Sequence, residues 1–371
     1  MHAARIRQVE LLRVAMVLRG PVVTAYGTEH ERDVVLVHVL TDDGDGWGEC
    51  AALPEPTYSP EYVAGALHVL EHHLVPRLLG ATAHELDAQW LLSPVVGHPM
   101  AKAAIEMALL DARLRRGNRS LAAELAATAT TVAAGRTVGL QRDLGALRAE
   151  ADEAVAHGYR HLKLKIAPGW DREPLAAIRH DHPHVSLGAD ANGSYDPEDT
   201  AARDALNALD DLALSVIEQP HPIERGDAHA RLAARLRTPI ALDEDVTSAA
   251  MGAALLARAE ADAIVVKPGR LGGLHAALAL GRTAHGRAWV GGMYETGLGR
   301  AANLALAACA DAFALPVDWS ASDRYWDTDL TAPHVLRADG TIAVPTGPGL
   351  GVSPDPATLA ARVRERRVLP A

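Results

Sequence analysis

Charged residues stand near the ends of five short apolar segments, and their spacing is nearly constant. The segments HLKLKI, VSLGAD, LSVIEQP, PIALDED and ADAIVVKPG carry Lys163 with Lys165, then Asp190, Glu218, Asp243 and Lys267. From Lys165 onward the steps are 25, 28, 25 and 24 residues, the length of a strand, a helix and two short loops. An ionised group is costly to bury unless it is paired or binds a metal. The pattern therefore predicts one shared polar centre inside a barrel.

The chain alternates between strand and helix patterns from about residue 131 to residue 324. Eight strands are predicted near Thr131–Gly139, His161–Ile166, Val185–Ala191, Ser215–Gln219, Ile240–Asp243, Ala263–Lys267, Ala288–Met293 and Ala314–Asp318. The links after the second strand have room for helices, such as Pro197–Leu209 and Leu271–Ala284. This alternation favours an α/β fold of the (β/α) barrel type over an open sheet.

Residues 1–130 predict a separate α+β unit. Strand patterns occupy Ile6–Leu18, Asp33–Thr41 and Gly46–Cys50, and helical spacing occupies Pro60–Leu78 and Pro99–Arg116. The tail, from about 325 to 371, is rich in turn residues. We expect it to pack back on this first unit.

Composition narrows the class of function. The 371 residues carry a net charge of −11 and two cysteines, so neither a nucleic-acid surface nor a disulfide framework is expected. The densest basic run, Arg362–Arg367, predicts a solvated helix face. No apolar run is long enough to span a membrane, and the first residues lack an apolar signal core. These features predict a cytoplasmic protein.

Three carboxylates are candidate metal ligands. Asp190, Glu218 and Asp243 end three successive predicted strands, which are neighbours in a barrel. Three oxygen ligands without Cys or His indicate Mg²⁺, with Mn²⁺ as an alternative, rather than Zn²⁺. The competing interpretation is that the three residues are N-caps of the helices that follow.

The lysine pair is the candidate base. Lys163 and Lys165 are two residues apart, so both face the same side of their strand. Their repulsion is expected to lower the pKa of one of them and make it a usable base. The alternative is a pair of lysines that face solvent, which a central barrel strand does not offer.

Lys267 is predicted to lie nearly opposite this pair. Two lysines with a divalent metal between them suit abstraction of a proton α to a carboxylate, through an enediolate. Arg270 is expected to lower the pKa of Lys267 further. It has two alternative roles, as a surface residue or as a residue that binds a substrate anion.

The motifs together resemble the enolase superfamily over nearly the whole chain. They are Gly46–Cys50 and Ala101–Ala108 in the first unit, and in the second the Lys-x-Lys pair, Asp190-Ala191-Asn192, Glu218-Gln219-Pro220, Asp243-Glu244-Asp245, Lys267–Arg270 and Gly291–Gly297. The chain is most similar to the muconate-lactonising subgroup, in its o-succinylbenzoate synthase and N-acylamino acid racemase branch.

The resemblance implies a (β/α)₇β barrel, a modified TIM barrel, at residues 131–324. It implies an α+β capping domain at 1–130, completed by 325–371. It also implies Mg²⁺ on the three carboxylates, Lys165 as the base with Lys163 beside it, and Lys267 across the site. Asn192 and Met293 belong to the motifs that carry the resemblance and are expected to support the site.

The cap is expected to reach the site through two loops. Tyr26 and Tyr58 are candidate pocket residues in them, although either residue could only pack the cap. A homo-oligomer that acts on a small carboxylate is implied.

Two missing motifs narrow the choice of subgroup within the superfamily. The strand-seven segment lacks the His of mandelate-racemase-like members, and Pro316–Ser320 lacks the Asp-x-Asp of dipeptide epimerases. The pair Gly291 and Gly292 is instead expected to leave open space for a bulky apolar substrate.

Three functions remain open at this point. The first is o-succinylbenzoate synthase, a lyase of menaquinone biosynthesis in which Lys267 stays protonated. The second is an N-acylamino acid (N-succinylamino acid) racemase, in which both lysines exchange protons, and one site could carry both activities. The third is a barrel that binds a metal or ligand without turnover.

Overall fold

The structure is a computed structural model that describes residues 5–24, 27–79 and 91–371. Its first unit is an antiparallel sheet of β1 (Ile6–Thr24), β2 (Gly27–Thr41) and β3 (Gly44–Cys50), joined by β13 (Val363–Pro370). The strand order is β13-β1-β2-β3. All three strand predictions are confirmed, and each strand extends beyond its predicted residues.

Helices cover this sheet. They are α1 (Val63–Val69), α2 (Val75–Leu79) and α3 (Pro99–Arg116), with a π-helical turn at Leu70–Leu74 between the first two. The helix α3 packs closely on β3, because a Cβ atom at Gly48 would lie 2.0 Å from the carbonyl oxygen of Ala104. Glycine is therefore required where this strand meets the helix.

Within the described residues, seven parallel strands curl into the barrel. They are β5 (Gly135–Val138), β6 (His161–Lys165), β7 (Ser186–Asp190), β8 (Ile217–Glu218), β9 (Ile240–Leu242), β10 (Ala263–Val266) and β11 (Ala288–Val290). They pair in chain order, from β5 at one edge to β11 at the other. The α/β fold class, a barrel with an antiparallel cap, is confirmed.

One short helix precedes the barrel, and further helices occupy its links. They are α4 (Leu121–Glu124), α5 (Leu144–His157), α6 (Arg172–Asp181), α7 (Thr200–Ala208), α8 (Gly226–Ala233), α9 (Ala249–Ala257), α10 (Pro268–Leu271), α11 (Leu274–Thr283) and α12 (Gly297–Ala307). Single 3₁₀ turns lie at Asp210–Leu212 and Ser322–Arg324. No helix among the described residues has the length and apolarity that a membrane crossing needs.

The predicted eighth strand is wrong. Residues 314–318 form no strand, and Pro316 has no N–H group to donate to a neighbouring strand. Side chains close the gap instead. Thr137 Oγ1 donates to the carbonyl oxygen of Asp318 at 2.9 Å, and Trp319 Nε1 donates to that of Val290 at 3.0 Å. The segment therefore lies between β5 and β11 without ladder hydrogen bonds.

The first predicted barrel strand is two strands. The segment β4 (Thr131–Ala133) pairs antiparallel with β12 (Thr341–Ala343), and only β5 enters the barrel. The tail thus contacts both units, because β13 pairs with β1 while β12 pairs with β4. The limits 1–130 and 131–324 stay predictions.

The solvated helix face predicted at Arg362–Arg367 is also wrong. The helix α13 (Pro356–Arg362) ends there, and the basic run continues as β13. Arg364 and Arg366 lie two residues apart along the strand, and acids of β1 and β2 pair with them. Arg366 donates to Glu10 at 2.6 Å and Arg364 to Glu31 at 2.7 Å.

One buried carboxylate joins the cap to the barrel. Glu49 of β3 accepts from the backbone N–H of Thr296 at 3.0 Å, from the Thr296 hydroxyl at 2.6 Å and from the backbone N–H of Gly299 at 3.0 Å. These donors belong to the N-terminus of α12, which favours a negative charge. Burial nevertheless raises the pKa of Glu49 to about 7.

This shift predicts a pH-dependent stability. The folded protein holds a proton on Glu49 that the unfolded chain releases near its ordinary pKa, so the free energy of unfolding should fall as pH rises from 5 to 8. The expected decrease is at most about 3 kcal/mol. Urea unfolding across this range should show the free energy of unfolding of the wild type falling relative to that of Glu49→Gln, which has no titratable group at this position. Glu198→Gln, at an exposed glutamate, should follow the wild type, and parallel curves for Glu49→Gln would refute the assignment.

Candidate active site

The predicted lysine pair faces two predicted carboxylates at the carboxyl ends of neighbouring strands. In the register of the sheet, Lys165 lies opposite Asp190 and Asp190 lies opposite Glu218. Lys165 Nζ donates to Asp190 Oδ2 and to Asn192 Oδ1, both at 2.6 Å. Lys163 Nζ donates to Glu218 Oε2 at 2.5 Å. The parallel register therefore brings residues 25 to 55 positions apart into ion pairs.

The third carboxylate and the third lysine form a second group across the barrel. Lys267 Nζ donates to Asp243 Oδ2 at 2.7 Å, and Arg270 donates to Asp243 Oδ1 at 2.8 Å. The hydroxyl of Tyr58, from the cap, accepts from Lys267 and from Arg270, both at 2.8 Å, and lies 3.0 Å from Asp243 Oδ2. Arg270 is buried, so its surface alternative is excluded.

A cavity of about 510 Å³ contains most of the predicted residues. Those that line it are Tyr58, Lys163, Lys165, Asp190, Asn192, Glu218, Asp243, Lys267, Gly292 and Met293. Gly291 and Arg270 lie behind the cavity wall. Tyr26 lies outside the described residues. The cavity is thus lined by the barrel and by two segments of the cap, residues 28–31 of β2 and the loop that carries Tyr58.

The N-cap alternative for the three carboxylates is excluded. The helices α7, α8 and α9 begin after Asp199, Arg225 and Ser248, several residues beyond the strand ends. The carboxylates of Asp190, Glu218 and Asp243 point into the cavity instead and are at most 2% exposed.

The expected open space at the glycine pair is wrong. A Cβ atom at Gly291 would lie 2.5 Å from Val265 Cγ1 and 2.9 Å from Lys267 Cε. A Cβ atom at Gly292 would lie 3.2 Å from Trp319 Cδ1. The missing side chains therefore leave room for the stem of Lys267 and for an indole ring rather than for a substrate.

The pKa predicted for the lysine pair is also wrong in direction. Burial, the largest effect, and the neighbouring Lys163 both lower the pKa of Lys165, but Asp190 together with Tyr294 and Glu218 raises it, and the net shift is upward. The pKa of Lys163 is raised well above its ordinary value, because Asp318, Glu218 and Asp190 outweigh its burial. The expected repulsion between Lys163 and Lys165 is present, but the attraction of the nearby carboxylates is larger, so the pKa of each lysine is raised.

Opposing effects of burial and neighbouring charges also set the pKa of Lys267. Burial lowers its pKa, Asp243 raises it, and Arg270 lowers it, so the predicted influence of Arg270 has the right sign. The net shift is nevertheless upward, because Lys267 and Asp243 are in direct contact. Both sides of the cavity thus hold a protonated lysine against a carboxylate.

The three carboxylates suit a divalent cation in their chemistry. As the side chains stand, no group of three or more His, Cys, Asp or Glu in the described part of the chain is arranged to hold a metal. Each carboxylate is instead paired with a lysine. The pKa of Glu218 is raised well above its usual range by burial and by the charges of Asp190 and Asp243. Such crowding of acidic oxygens is what a hard cation relieves.

The sequence analysis missed Asp318 as a site residue. Its Oδ2 accepts from Lys163 Nζ at 2.5 Å and from Trp289 Nε1 at 3.3 Å, and it lines the cavity. Its sequence signal was the same as that of the other acids, a carboxylate near the end of a predicted strand. The segment around it lacks the second acid of the Asp-x-Asp motif.

Two further residues were missed. Glu244 Oε1 accepts from the side-chain amide of Asn192 at 2.8 Å and so links the ends of β7 and β9. Tyr294 lines the cavity beside Lys165 and has a positive φ of 57°. Both residues lie within motifs that carry the family resemblance, but the motifs gave neither of them a role in the site.

The close packing at Gly291 predicts a loss of stability. Gly291→Ala should lower the free energy of unfolding by about 1 to 3 kcal/mol, because Lys267 and Val265 must both move. Gly292→Ala, where the nearest atom is 3.2 Å away, is the matched control and should cost less. Urea unfolding of both variants measures the difference, and equal losses would contradict the assignment.

Two family models match the chain. Residues 6–125 match the N-terminal domain of mandelate racemase and muconate lactonizing enzyme, and residues 146–358 match the enolase C-terminal domain-like family. A solved member of the enolase superfamily from Listeria innocua superposes with a TM-score of 0.93 at 33% identity, over 99% of both chains. The fold and both halves of the sequence therefore indicate the same superfamily.

Two relatives match nearly the full length. The chain is 46% identical over 358 residues to an N-succinylamino acid racemase of Amycolatopsis, over 95% of each chain. It is 37% identical to an o-succinylbenzoate synthase of Geobacillus kaustophilus, over 95% of this chain and 94% of that protein. The family models, the solved structure and the two relatives thus agree, and the chain belongs to the enolase superfamily, in its muconate-lactonising subgroup.

Proposed function

We propose that this enzyme removes a proton α to a carboxylate, and that its reaction is the dehydration carried out by o-succinylbenzoate synthases. The observation that carries the proposal is the placement of Lys165 and Lys267 in one cavity, each against a different buried carboxylate. A substrate between them has a possible proton acceptor on one side and a cation on the other.

The two lysines would have different roles in the dehydration. Lys165, in its neutral form, removes the α-proton, and the hydroxyl group leaves from the same face of the substrate as water that carries this proton. Lys267 stays protonated and stabilises the negative charge of the enediolate. The raised pKa of Lys267, which burial lowers and Asp243 raises, favours the protonated form of Lys267 in this step.

A second activity, racemisation of N-succinylamino acids, is supported by the 46% identical racemase. In that reaction Lys165 and Lys267 act on opposite faces of the same carbon, so each must lose and regain a proton. The enediolate step is common to both reactions. We therefore propose that one site carries both activities.

Members of the enolase superfamily bind Mg²⁺. We propose that Asp190, Glu218 and Asp243 would hold Mg²⁺, or Mn²⁺, in this chain. The bound ion would hold the substrate carboxylate and stabilise the charge that develops on it. Lys163, with Glu218 and Asp318 as partners, would remain beside the base as a fixed positive charge.

Other residues of the site would position these groups. Arg270 contacts Asp243 and Tyr58 and not the cavity, which supports a positioning role over direct binding of a substrate anion. Asn192 holds Lys165, and Met293 supplies apolar wall. The homo-oligomer and the cytoplasmic location stay predictions.

Proton exchange would test the base assignments. In D₂O with Mg²⁺ and an N-succinylamino acid, the wild type should exchange the α-proton, and Lys165→Ala should lower exchange from one enantiomer at least about 100-fold. Lys267→Ala should do the same for the other enantiomer. NMR of the α-proton measures both rates.

The chain offers a matched control for these variants. Its one lysine outside the site is Lys102, so Lys102→Ala should exchange at the wild-type rate. Absence of exchange in the wild type would refute the racemase activity. Failure to dehydrate the cyclohexadiene-carboxylate precursor would refute the lyase activity. Loss of both exchange and dehydration would leave the barrel without turnover as the remaining hypothesis.

Metal removal would test the ligand set. Chelation with EDTA should abolish dehydration, and added Mg²⁺ or Mn²⁺ should restore it, because no other group in the proposed site neutralises the substrate carboxylate in the same way. Full activity in EDTA would contradict the metal assignment. Asp190→Asn and Asp243→Asn should each raise the Mg²⁺ concentration needed for half-maximal activity, measured by titration.

A further inference from the structure

One arginine of the cap is almost completely buried and does not line the site cavity. Arg32, on β2, is 1% exposed. Within the described residues its guanidinium group donates four hydrogen bonds, and every acceptor is a backbone carbonyl oxygen. Burying a cation is costly, and carbonyl dipoles that point at it offset part of that cost. The reaction described above gives this residue no role.

The four acceptors belong to three segments of the chain. Nη1 of Arg32 donates within β2 to the carbonyl oxygen of Asp33 at 3.1 Å. Directly after β3, the carbonyl oxygen of Ala52 accepts from Nη1 at 2.9 Å and that of Ala51 accepts from Nη2 at 3.0 Å. In the barrel, after β11, the carbonyl oxygen of Met293 accepts from Nε at 3.4 Å. One planar group with fixed donor directions therefore connects two parts of the cap with the barrel.

The cap segment that Arg32 holds leads to Tyr58. The backbone N–H of Val63 donates to the carbonyl oxygen of Leu53 at 2.9 Å, so the loop that carries Tyr58 is closed directly after the carbonyls that Arg32 contacts. At the other end of this loop, the Tyr58 hydroxyl accepts from Lys267 Nζ at 2.8 Å. A shift at the base of the loop would therefore move Tyr58 relative to Lys267.

The barrel segment that Arg32 holds also leads to Lys267. Met293 lies two residues after Gly291, where a Cβ atom would lie 2.9 Å from Lys267 Cε and 3.1 Å from Lys267 Cγ. The backbone at Gly291 thus packs against the aliphatic stem of Lys267, while Tyr58 contacts its ammonium group. Both segments that Arg32 connects to β2 meet at the same lysine.

The other proposed base is held by different parts of the barrel. Lys165 Nζ donates to Asp190 and Asn192, at and after the end of β7, and neither residue belongs to the segments that Arg32 contacts. A change at Arg32 should therefore affect the two lysines unequally.

We propose that Arg32 is a positioning residue for Lys267, which holds the cap loop of Tyr58 and the barrel segment of Met293 against that lysine from outside the cavity. The inference rests on the proposed function, in which Lys267 exchanges a proton on one face of the substrate. Arg32→Lys keeps the positive charge and loses the planar fork, because an ammonium group is a single point of donation.

Exchange of the α-proton from the two enantiomers of one N-succinylamino acid tests the inference. In D₂O with Mg²⁺, Arg32→Lys should lower kcat/KM for the enantiomer assigned to Lys267 at least about tenfold, and for the enantiomer assigned to Lys165 less than about threefold. NMR measures both rates, and the Lys165→Ala and Lys267→Ala variants identify the enantiomers. A loss of folded protein lowers both rates equally and leaves their ratio unchanged.

Arg179→Lys is the matched control. Arg179, on α6, also donates four hydrogen bonds to backbone carbonyl oxygens, at 2.8 to 3.4 Å. Neither Arg179 nor the residues that accept from it line the site cavity. Arg179→Lys should keep the wild-type ratio of the two exchange rates, and urea unfolding compares its stability with that of Arg32→Lys.

Tyr58→Phe tests the same connection without removing a buried charge. It deletes the hydroxyl that Lys267 contacts, so it should also lower exchange mainly from the enantiomer assigned to Lys267. In the Tyr58→Phe background, Arg32→Lys should change the ratio little further, because the two residues act on one lysine. Should Arg32→Lys fail to fold, equal loss of both rates in Tyr58→Phe overturns the inference.

The outcomes separate this inference from the proposed function. If the wild type exchanges both enantiomers and Arg32→Lys keeps the wild-type ratio, the inference is overturned and the proposed function stands. If the wild type exchanges neither enantiomer, the proposed racemase activity fails and the inference fails with it. A changed ratio in Arg32→Lys that Arg179→Lys does not share supports the inference.

Discussion

The arrangement of the site depends on ion pairs between buried lysines and buried carboxylates inside the barrel. Lys163, Lys165 and Lys267 each contact a carboxylate at 2.5 to 2.7 Å, and every one of these groups is largely removed from water. None could be buried ionised alone, because desolvation of a single charge costs far more than folding can supply. The parallel register of the strands makes the pairs possible, since it brings the strand ends to one side of the sheet.

The cap extends this network instead of merely covering it. Tyr58 reaches Lys267, Arg270 and Asp243 from the first unit, and Glu49 accepts three hydrogen bonds from the start of α12. The C-terminal strand β13 joins the cap sheet through its pairing with β1. The two units therefore meet through buried polar groups, and a shift between them would leave such groups without partners.

Much of the fold and of the site could be predicted from local pattern. Successive charged strand ends implied a barrel, and residue periodicity located the antiparallel strands of the cap. The failures have physical causes. At Ala314–Asp318 the apolar pattern of a strand is present, but Pro316 lacks a donor and side-chain hydrogen bonds replace the ladder. At Arg362–Arg367 charge suggested a solvated helix, while Glu10 of β1 and Glu31 of β2 pair with arginines of β13.

The amino-acid sequence by itself determined which residues share the site, because strand period and βα spacing place each charge at the same end of a parallel barrel. Only the tertiary structure decided the electrostatic balance among them. Whether Lys165 has a lowered or a raised pKa depends on Asp190 at 2.6 Å, not on Lys163 two residues away. Likewise, Gly291 accommodates Lys267 and not a substrate, and Asp318 becomes a partner of Lys163. Distances across the barrel set these outcomes, and they follow from packing between residues far apart in the chain.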